Sequence, residues 1–139
     1  MTWEPRPTPV VTGDTAPYWE GAADGNLLLN ECTDCGLVYH YPRALCPDCF
    51  SDDIEWIEAK GTGEVYTYSV VDNEHIIPDF PEEAFPHVLA FVELDEGPRV
   101  LTNLVDVDPG DVEIGSRVEV RFEETEDDDV AVPVFTLAE

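Results

Sequence analysis

Four cysteines, the only ones in the chain, stand in two CxxC pairs: Cys32 and Cys35 with Gly36 behind them, then Cys46-Pro47-Asp48-Cys49 after ten intervening residues. A CxxC carries two thiolates on one tight turn, and two such turns facing each other form the tetrahedral sulfur cage that Zn²⁺ prefers. Gly36 suits a knuckle, because the chain must turn sharply beneath the metal and glycine tolerates positive φ. Pro47 stiffens the second turn. The spacer is shorter than the ~15–20 residues of many ribbons, yet it suffices for a hairpin. The pattern predicts one metal ion per chain, held by Cys32, Cys35, Cys46 and Cys49. Four protein ligands leave no open coordination position, so the expected role is structural. A segment this short buries little apolar surface by itself, and the metal makes up the deficit.

The rival uses of these thiols are two disulfides, a dithiol redox centre or an iron tetrathiolate. Met1 to Pro9 is polar and proline-rich. A reducing cytoplasm is therefore expected, and structural disulfides are not. A thioredoxin-like centre would need one CxxC near a βαβ pattern, which is absent. Iron and zinc share the geometry and softness of a four-thiolate site, and the sequence does not separate them. His40 is not needed as a ligand, since the thiolates complete the tetrahedron.

The chain has 139 residues, which is one ordinary domain or two very small ones. The cysteines favour two units, because all four fall within Cys32 to Cys49 while apolar alternation runs from about Gly61 to the end. The expected organisation is an extended arm over 1–14, a helix and ribbon over 15–58, and a barrel over 59–139. Charge is the second strong constraint: 32 acidic residues against six basic ones give a formal −26. On roughly 7,000 Å² of surface the carboxylates would lie about 15 Å apart. The Debye length is ~8 Å at physiological salt and ~3 Å at 1 M, so the repulsion disappears only in concentrated salt. A salt-rich cytoplasm and loss of structure at low salt are expected. The densest run, Glu123-Glu124-Thr125-Glu126-Asp127-Asp128-Asp129, reads as a solvated hairpin loop; it lacks the spaced ligands and turn glycine of a calcium loop.

Thr15 is placed to cap a short helix with Pro17 in its first turn and Gly25 as its stop, and Tyr18, Trp19, Ala22 and Ala23 form its apolar stripe. Leu27 to Leu29 lead into the first knuckle. Leu37 to Pro42 are expected as the central ribbon strand, and Arg43-Ala44-Leu45 return to the second knuckle. Five further strands are expected at Glu64 to Val71, His87 to Leu94, Arg99 to Val107, Arg117 to Glu123 and Val130 to Leu137. In the fourth, Val118, Val120 and Phe122 should face inward and Arg117, Glu119, Arg121 and Glu123 outward. Five strands without a long helix between them fit a small closed barrel of the OB type. The connection from Asn73 to Pro86 is apolar for a loop, with His75, Ile76, Ile77, Phe80 and Phe85, and should either cap the barrel or meet a ligand or partner.

In order and spacing, Tyr18-Trp19-Glu20, Gly25 to Leu29, Cys32-x-x-Cys35-Gly36, Pro42-Arg43, Cys46-Pro47-x-Cys49, Glu55-Trp56, Gly61-x-Gly63, Val65 to Tyr68, Val92 to Gly97, Gly115 and Val134-Phe135 resemble the zinc-ribbon/OB-fold proteins known as domain of unknown function 35. The resemblance covers about residues 16 to 137. It implies an N-terminal helix, a rubredoxin-like zinc ribbon and a five-stranded OB barrel. It also implies an acyl-CoA setting, since such proteins accompany thiolases and their relatives. Some archaeal members hold acetoacetyl-CoA thiolase and hydroxymethylglutaryl-CoA synthase in one complex, and others partner hydratases or aldolases.

Three functions are weighed on that basis. The first is a non-catalytic accessory or scaffold subunit of an acyl-CoA enzyme, which would help bind or channel a CoA-linked intermediate. Arg43 and Lys60 are its candidate CoA-phosphate contacts, and Trp3, Trp19 and Phe80 its candidate partner contacts. The second is a nucleic-acid module, disfavoured because phosphate binding needs a basic groove that this composition does not supply. The third is a small acyl-CoA-acting enzyme, disfavoured because no paired base and nucleophile stands out and His75 and His87 form no recognisable catalytic pair. No membrane association is expected.

Overall fold

The alternating apolar residues after Gly61 close on themselves. The computed structural model describes residues 6–72 and 85–138. Its elements run α1 (Ala16–Ala23), β1 (Leu28–Cys32), β2 (Val38–Tyr39), β3 (Ile54–Glu58), β4 (Thr62–Val71), β5 (His87–Leu94), β6 (Arg99–Leu104), β7 (Arg117–Glu124) and β8 (Ala131–Leu137). Strands β4 to β8 form a closed barrel in the order β4-β5-β6-β8-β7, the Greek-key arrangement of an OB fold. Antiparallel ladders supply most of it, and one parallel contact between β6 and β8, at Leu104 and Phe135, completes the closure. Val65, Val88, Val92, Leu104, Val118 and Phe135 fill the interior and are essentially without solvent exposure. Gly63 sits where β4 crosses β5; a Cβ there would come within 2.4 Å of the Glu93 carbonyl oxygen, so only glycine allows this approach.

Before the barrel, β1 lies between β2 and β3 in a three-stranded antiparallel sheet. This corrects the expectation that Leu37 to Pro42 form the central strand. Only Val38 and Tyr39 are extended there, paired to Glu31 and Asn30. Strand β3 pairs with β1 over five residues and was not anticipated. Its signal is weak: Ile54 and Trp56 alternate with Asp53 and Glu55 over too few positions to stand out from a linker. Tyr18 of α1 and Leu27 and Leu29 at β1 share one apolar core with the barrel residues, so the helix and ribbon pack on the barrel without a break.

Helix α1 begins and ends as its residues require, with one change. Thr15 occupies the N-cap position, but its hydroxyl makes no cap bond and instead accepts the Thr12 N–H at 3.0 Å. At the other end Gly25, at φ +85°, lets Asn26 N–H reach the Gly21 carbonyl and its own N–H reach that of Ala22, a Schellman closure. Strand β6 stops at Leu104 and not Val107, because Asp106 takes a left-handed φ of 53° and turns the chain.

Glu123 is the clearest departure in the barrel. Expected to face outward at the head of a solvated loop, it is buried and bound by Arg6, whose Nε donates to Oε1 at 2.5 Å. The Arg6 Nη2 donates to Asn103 Oδ1 at 2.8 Å, and the Arg6 backbone N–H to the Glu124 carbonyl at 2.9 Å. Thr125 is buried too, its hydroxyl donating to the Val130 carbonyl at 2.8 Å. The solvated turn is thus only Glu126 to Asp129, all exposed. His75, and the Asn73 to Ala84 part of the apolar connection, lie outside the described residues.

Candidate metal centre

Two turns of the ribbon repeat one geometry. In the first, the Cys32 N–H donates to the Leu37 carbonyl at 2.9 Å and the Gly36 N–H to the Cys32 carbonyl at 2.8 Å. In the second, the Cys46 N–H donates to the Ser51 carbonyl at 2.9 Å and the Phe50 N–H to the Cys46 carbonyl at 3.0 Å. The residue after each CxxC is left-handed, Gly36 at φ 80° and Phe50 at φ 62°. Gly36 and Phe50 are therefore equivalent positions. The first knuckle follows the glycine rule, whereas the second places an aromatic residue there, 74% exposed.

The four sulfurs converge within 4.8 Å of one another. Cys32 and Cys49 lie 3.6 Å apart, as do Cys35 and Cys46. Zn–S bonds of ~2.3 Å in a tetrahedron require S···S edges of about 3.8 Å, so the donors fit a zinc ion. They are unbonded thiols, which removes the disulfide reading. Cys32 and Cys46 are fully buried, while Cys35 and Cys49 face outward. Backbone N–H groups point at sulfur, as in Asp48 N–H to Cys46 Sγ at 3.4 Å. Such bonds orient the thiolates and offset their charge. The Cys49 and Asp48 N–H groups pull the Cys46 thiol down to about 7. At Cys35 the Leu37 N–H acts in the same direction but is outweighed by partial loss of water around the sulfur and by the neighbouring thiols, which push it up to about 12.

His40 lies apart from this cluster, its ring packed between those of Tyr18 at 5.2 Å and Tyr41 at 4.3 Å. Loss of water around the ring lowers its pKa to about 4. The folded protein therefore holds a neutral imidazole where the unfolded chain, with a pKa near 6.5, takes up a proton. Stability is complete above pH 6.5 and declines as pH falls toward 4, by about 3 kcal/mol in all. Thermal melts at stepwise pH should show that decline in the wild type and a flatter profile in His40→Gln; parallel profiles would refute it.

Among the described residues four cations are paired: Arg6 with Glu123, Arg99 with Glu93, Arg117 with Asp95 and Arg121 with Asp106. Arg43 and Lys60 form no such pair. Arg43 borders an open groove of about 240 Å³ with Asn30, Trp56, Asp14 and Asp52. The Lys60 backbone N–H donates to Glu96 Oε2, and Asp95 senses the Lys60 charge. Nothing in the contacts brings Arg43 and Lys60 to one site. Trp19 is half-buried, edge-on to Tyr18 at 4.9 Å, with its indole N–H buried. Trp3 and Phe80 lie outside the described residues. The barrel also carries an outer apolar face that alternation alone does not announce: Leu89, Phe91, Leu101 and Tyr66 are all exposed on β4 to β6. Along it Thr67, Tyr68, Leu89, Phe91 and Leu101 line a shallow groove of about 190 Å³.

Comparison with known proteins gives two adjoining family matches. Residues 19–55 match the rubredoxin-like zinc ribbon domain of ChsH2, and residues 56–123 its C-terminal OB-fold domain. The ribbon match identifies the four-cysteine centre as a structural zinc site for one ion. A DUF35 domain-containing scaffold protein of Methanocaldococcus jannaschii is 43% identical over 98 residues, which is 70% of this chain and 67% of that protein. A probable enoyl-CoA hydratase alpha subunit of Thermomonospora curvata is 39% identical over 133 residues, 96% of this chain; the match spans only 40% of the hydratase subunit. Among solved structures, a chain of the Ltp2-ChsH2(DUF35) aldolase superposes with a TM-score of 0.81 at 38% identity, over 94% of this chain and 99% of that one.

Proposed function

Since this chain belongs to the DUF35 family of joined zinc-ribbon and OB-fold proteins, we propose that it is a non-catalytic scaffold subunit of an acyl-CoA-processing complex in a salt-rich cytoplasm. The observation that carries this reading is its near full-length likeness to a DUF35 chain from an aldolase assembly, together with the scaffold names of its archaeal relatives. A barrel interior packed with Val, Leu and Phe side chains supports a binding surface over an enclosed reaction site. The partner is an acyl-CoA enzyme: a thiolase or hydroxymethylglutaryl-CoA synthase on the sequence resemblance, or an aldolase or hydratase subunit by analogy with the relatives. Arg43 and Lys60 are the candidates for CoA phosphates, because neither is held in an ion pair among the described residues. Trp3, Trp19 and Phe80 remain candidate partner contacts.

The nucleic-acid reading has little support, since four of the six cations are already neutralised. Affinity purification of the tagged chain from native lysate at molar KCl should recover a stoichiometric acyl-CoA enzyme. Recovery of nucleic acid or replication factors in its place would sink the proposal. Turnover of crotonyl-CoA or acetoacetyl-CoA by the purified chain alone would instead favour the small-enzyme reading, which the hydratase names of some relatives keep in view.

A further inference from the structure

Phe50 is expensive to the chain that carries it. A left-handed φ strains an ordinary L-residue, and the equivalent position of the first knuckle avoids that strain with Gly36. The ring gains nothing in return from the fold, because it is 74% exposed. Leu37, just past the first CxxC, and Leu45, just before the second, are exposed as well. Three large apolar side chains therefore flank the metal centre, each within two residues of a cysteine ligand. Strain and exposed apolar surface at one rigid point, with no benefit to folding, mark a contact made with something else.

We infer that the Phe50 edge of the second knuckle is a docking contact for the acyl-CoA enzyme partner and inserts into an apolar pocket rimmed by lysine or arginine. The inference rests on the scaffold reading. Charge selects the occupant. Residues 26–58 hold seven carboxylates, including Asp34, Asp48, Asp52 and Asp53 beside the knuckles, against the single cation Arg43. Ser51, next to Phe50, donates to Asp34, which holds that carboxylate of the first knuckle against the second. A second copy of this chain would meet that rim with the same sign. A partner with a cationic rim satisfies it, and the ring supplies a central aromatic anchor. The metal fixes both turns, so the anchor is held in place before the partner arrives, which limits the ordering cost of binding.

The test uses the full chain with the acyl-CoA enzyme that copurifies with it, comparing wild type, Phe50→Gly, Phe50→Asn and, on the barrel's outer face, Phe91→Ser. Phe50→Gly should keep one zinc per chain and melt at or above the wild-type temperature, while its affinity for the enzyme falls at least tenfold. Phe50→Asn, which also tolerates positive φ, should behave alike. Wild-type affinity in both variants overturns the inference and leaves the scaffold reading standing, and so does a loss confined to Phe91→Ser. Loss of zinc in Phe50→Gly overturns it too, by making Phe50 a support of the metal site. Phe50-dependent self-association in sedimentation would assign the edge to a second copy and refute the stated partner. If the wild type recovers no acyl-CoA enzyme, the scaffold reading falls and this inference with it.

Discussion

Stripping the metal with a strong chelator will unfold the ribbon, and Cys46→Ser will do the same without a chelator. The sheet of β1 to β3 holds β2 through two residues only, and the chain between Tyr39 and Ile54 carries no regular structure to keep it in place. The two knuckles meet at sulfur, so without the ion the meeting point is four thiols that compete for protons. Structural zinc sites of this kind contribute on the order of 10 kcal/mol of apparent binding energy, which is folding energy for the segment that makes them. Loading requires thiolates, and Cys35 without metal is held up to about 12. Uptake at neutral pH therefore releases protons, and apparent affinity rises with pH. Metal analysis should return one zinc per chain, and after chelation a protease should cut between Thr33 and Asp53. A ribbon still protease-resistant and melting as before would show that the cluster is dispensable.

Arg6→Met is expected to be the most damaging change far from the metal. It removes the guanidinium that binds the buried Glu123 carboxylate, and breaking one partner of a buried ion pair costs roughly 3–5 kcal/mol. Arg6 also donates to Asn103 on β6 and, through its backbone, to Glu124 on β7, so it ties the start of the described chain across two barrel strands. Because the pair is desolvated, molar salt should not screen it as it screens the exposed pairs of Arg99 and Arg121. Denaturation in molar KCl should show the full loss in Arg6→Met, and Arg6→Met with Glu123→Met should recover most of it. A single variant as stable as wild type would mean that water reaches Glu123.

The metal centre was legible because its chemistry is local. A CxxC turn is fixed by four consecutive residues, and two turns need only a hairpin to meet. Barrel strands were legible for a similar reason, since short apolar runs, alternating in β5 and nearly continuous in β8, mark them within their own windows. Strand β3 escaped because five residues with two acidic side chains carry too little alternation, and its place is set by β1, whose Leu29 and Asn30 are buried between two neighbours. Phe50 could have been found by laying one knuckle over the other, which sets it against Gly36. Arg6 and Glu123 could not: they are 117 positions apart, and each looks like a solvated charge in its own neighbourhood.

The residues alone therefore determined a four-thiolate metal site, a strand-built barrel and an acidic surface, all of which follow from spacing and period within short windows. Tertiary structure alone decided which strand is central in the ribbon, which carboxylate of the acidic run is taken out of water, and which apolar side chains stay exposed beside the metal. Those outcomes depend on pairing between distant segments, where burial is settled by the neighbour that arrives and not by the residue itself.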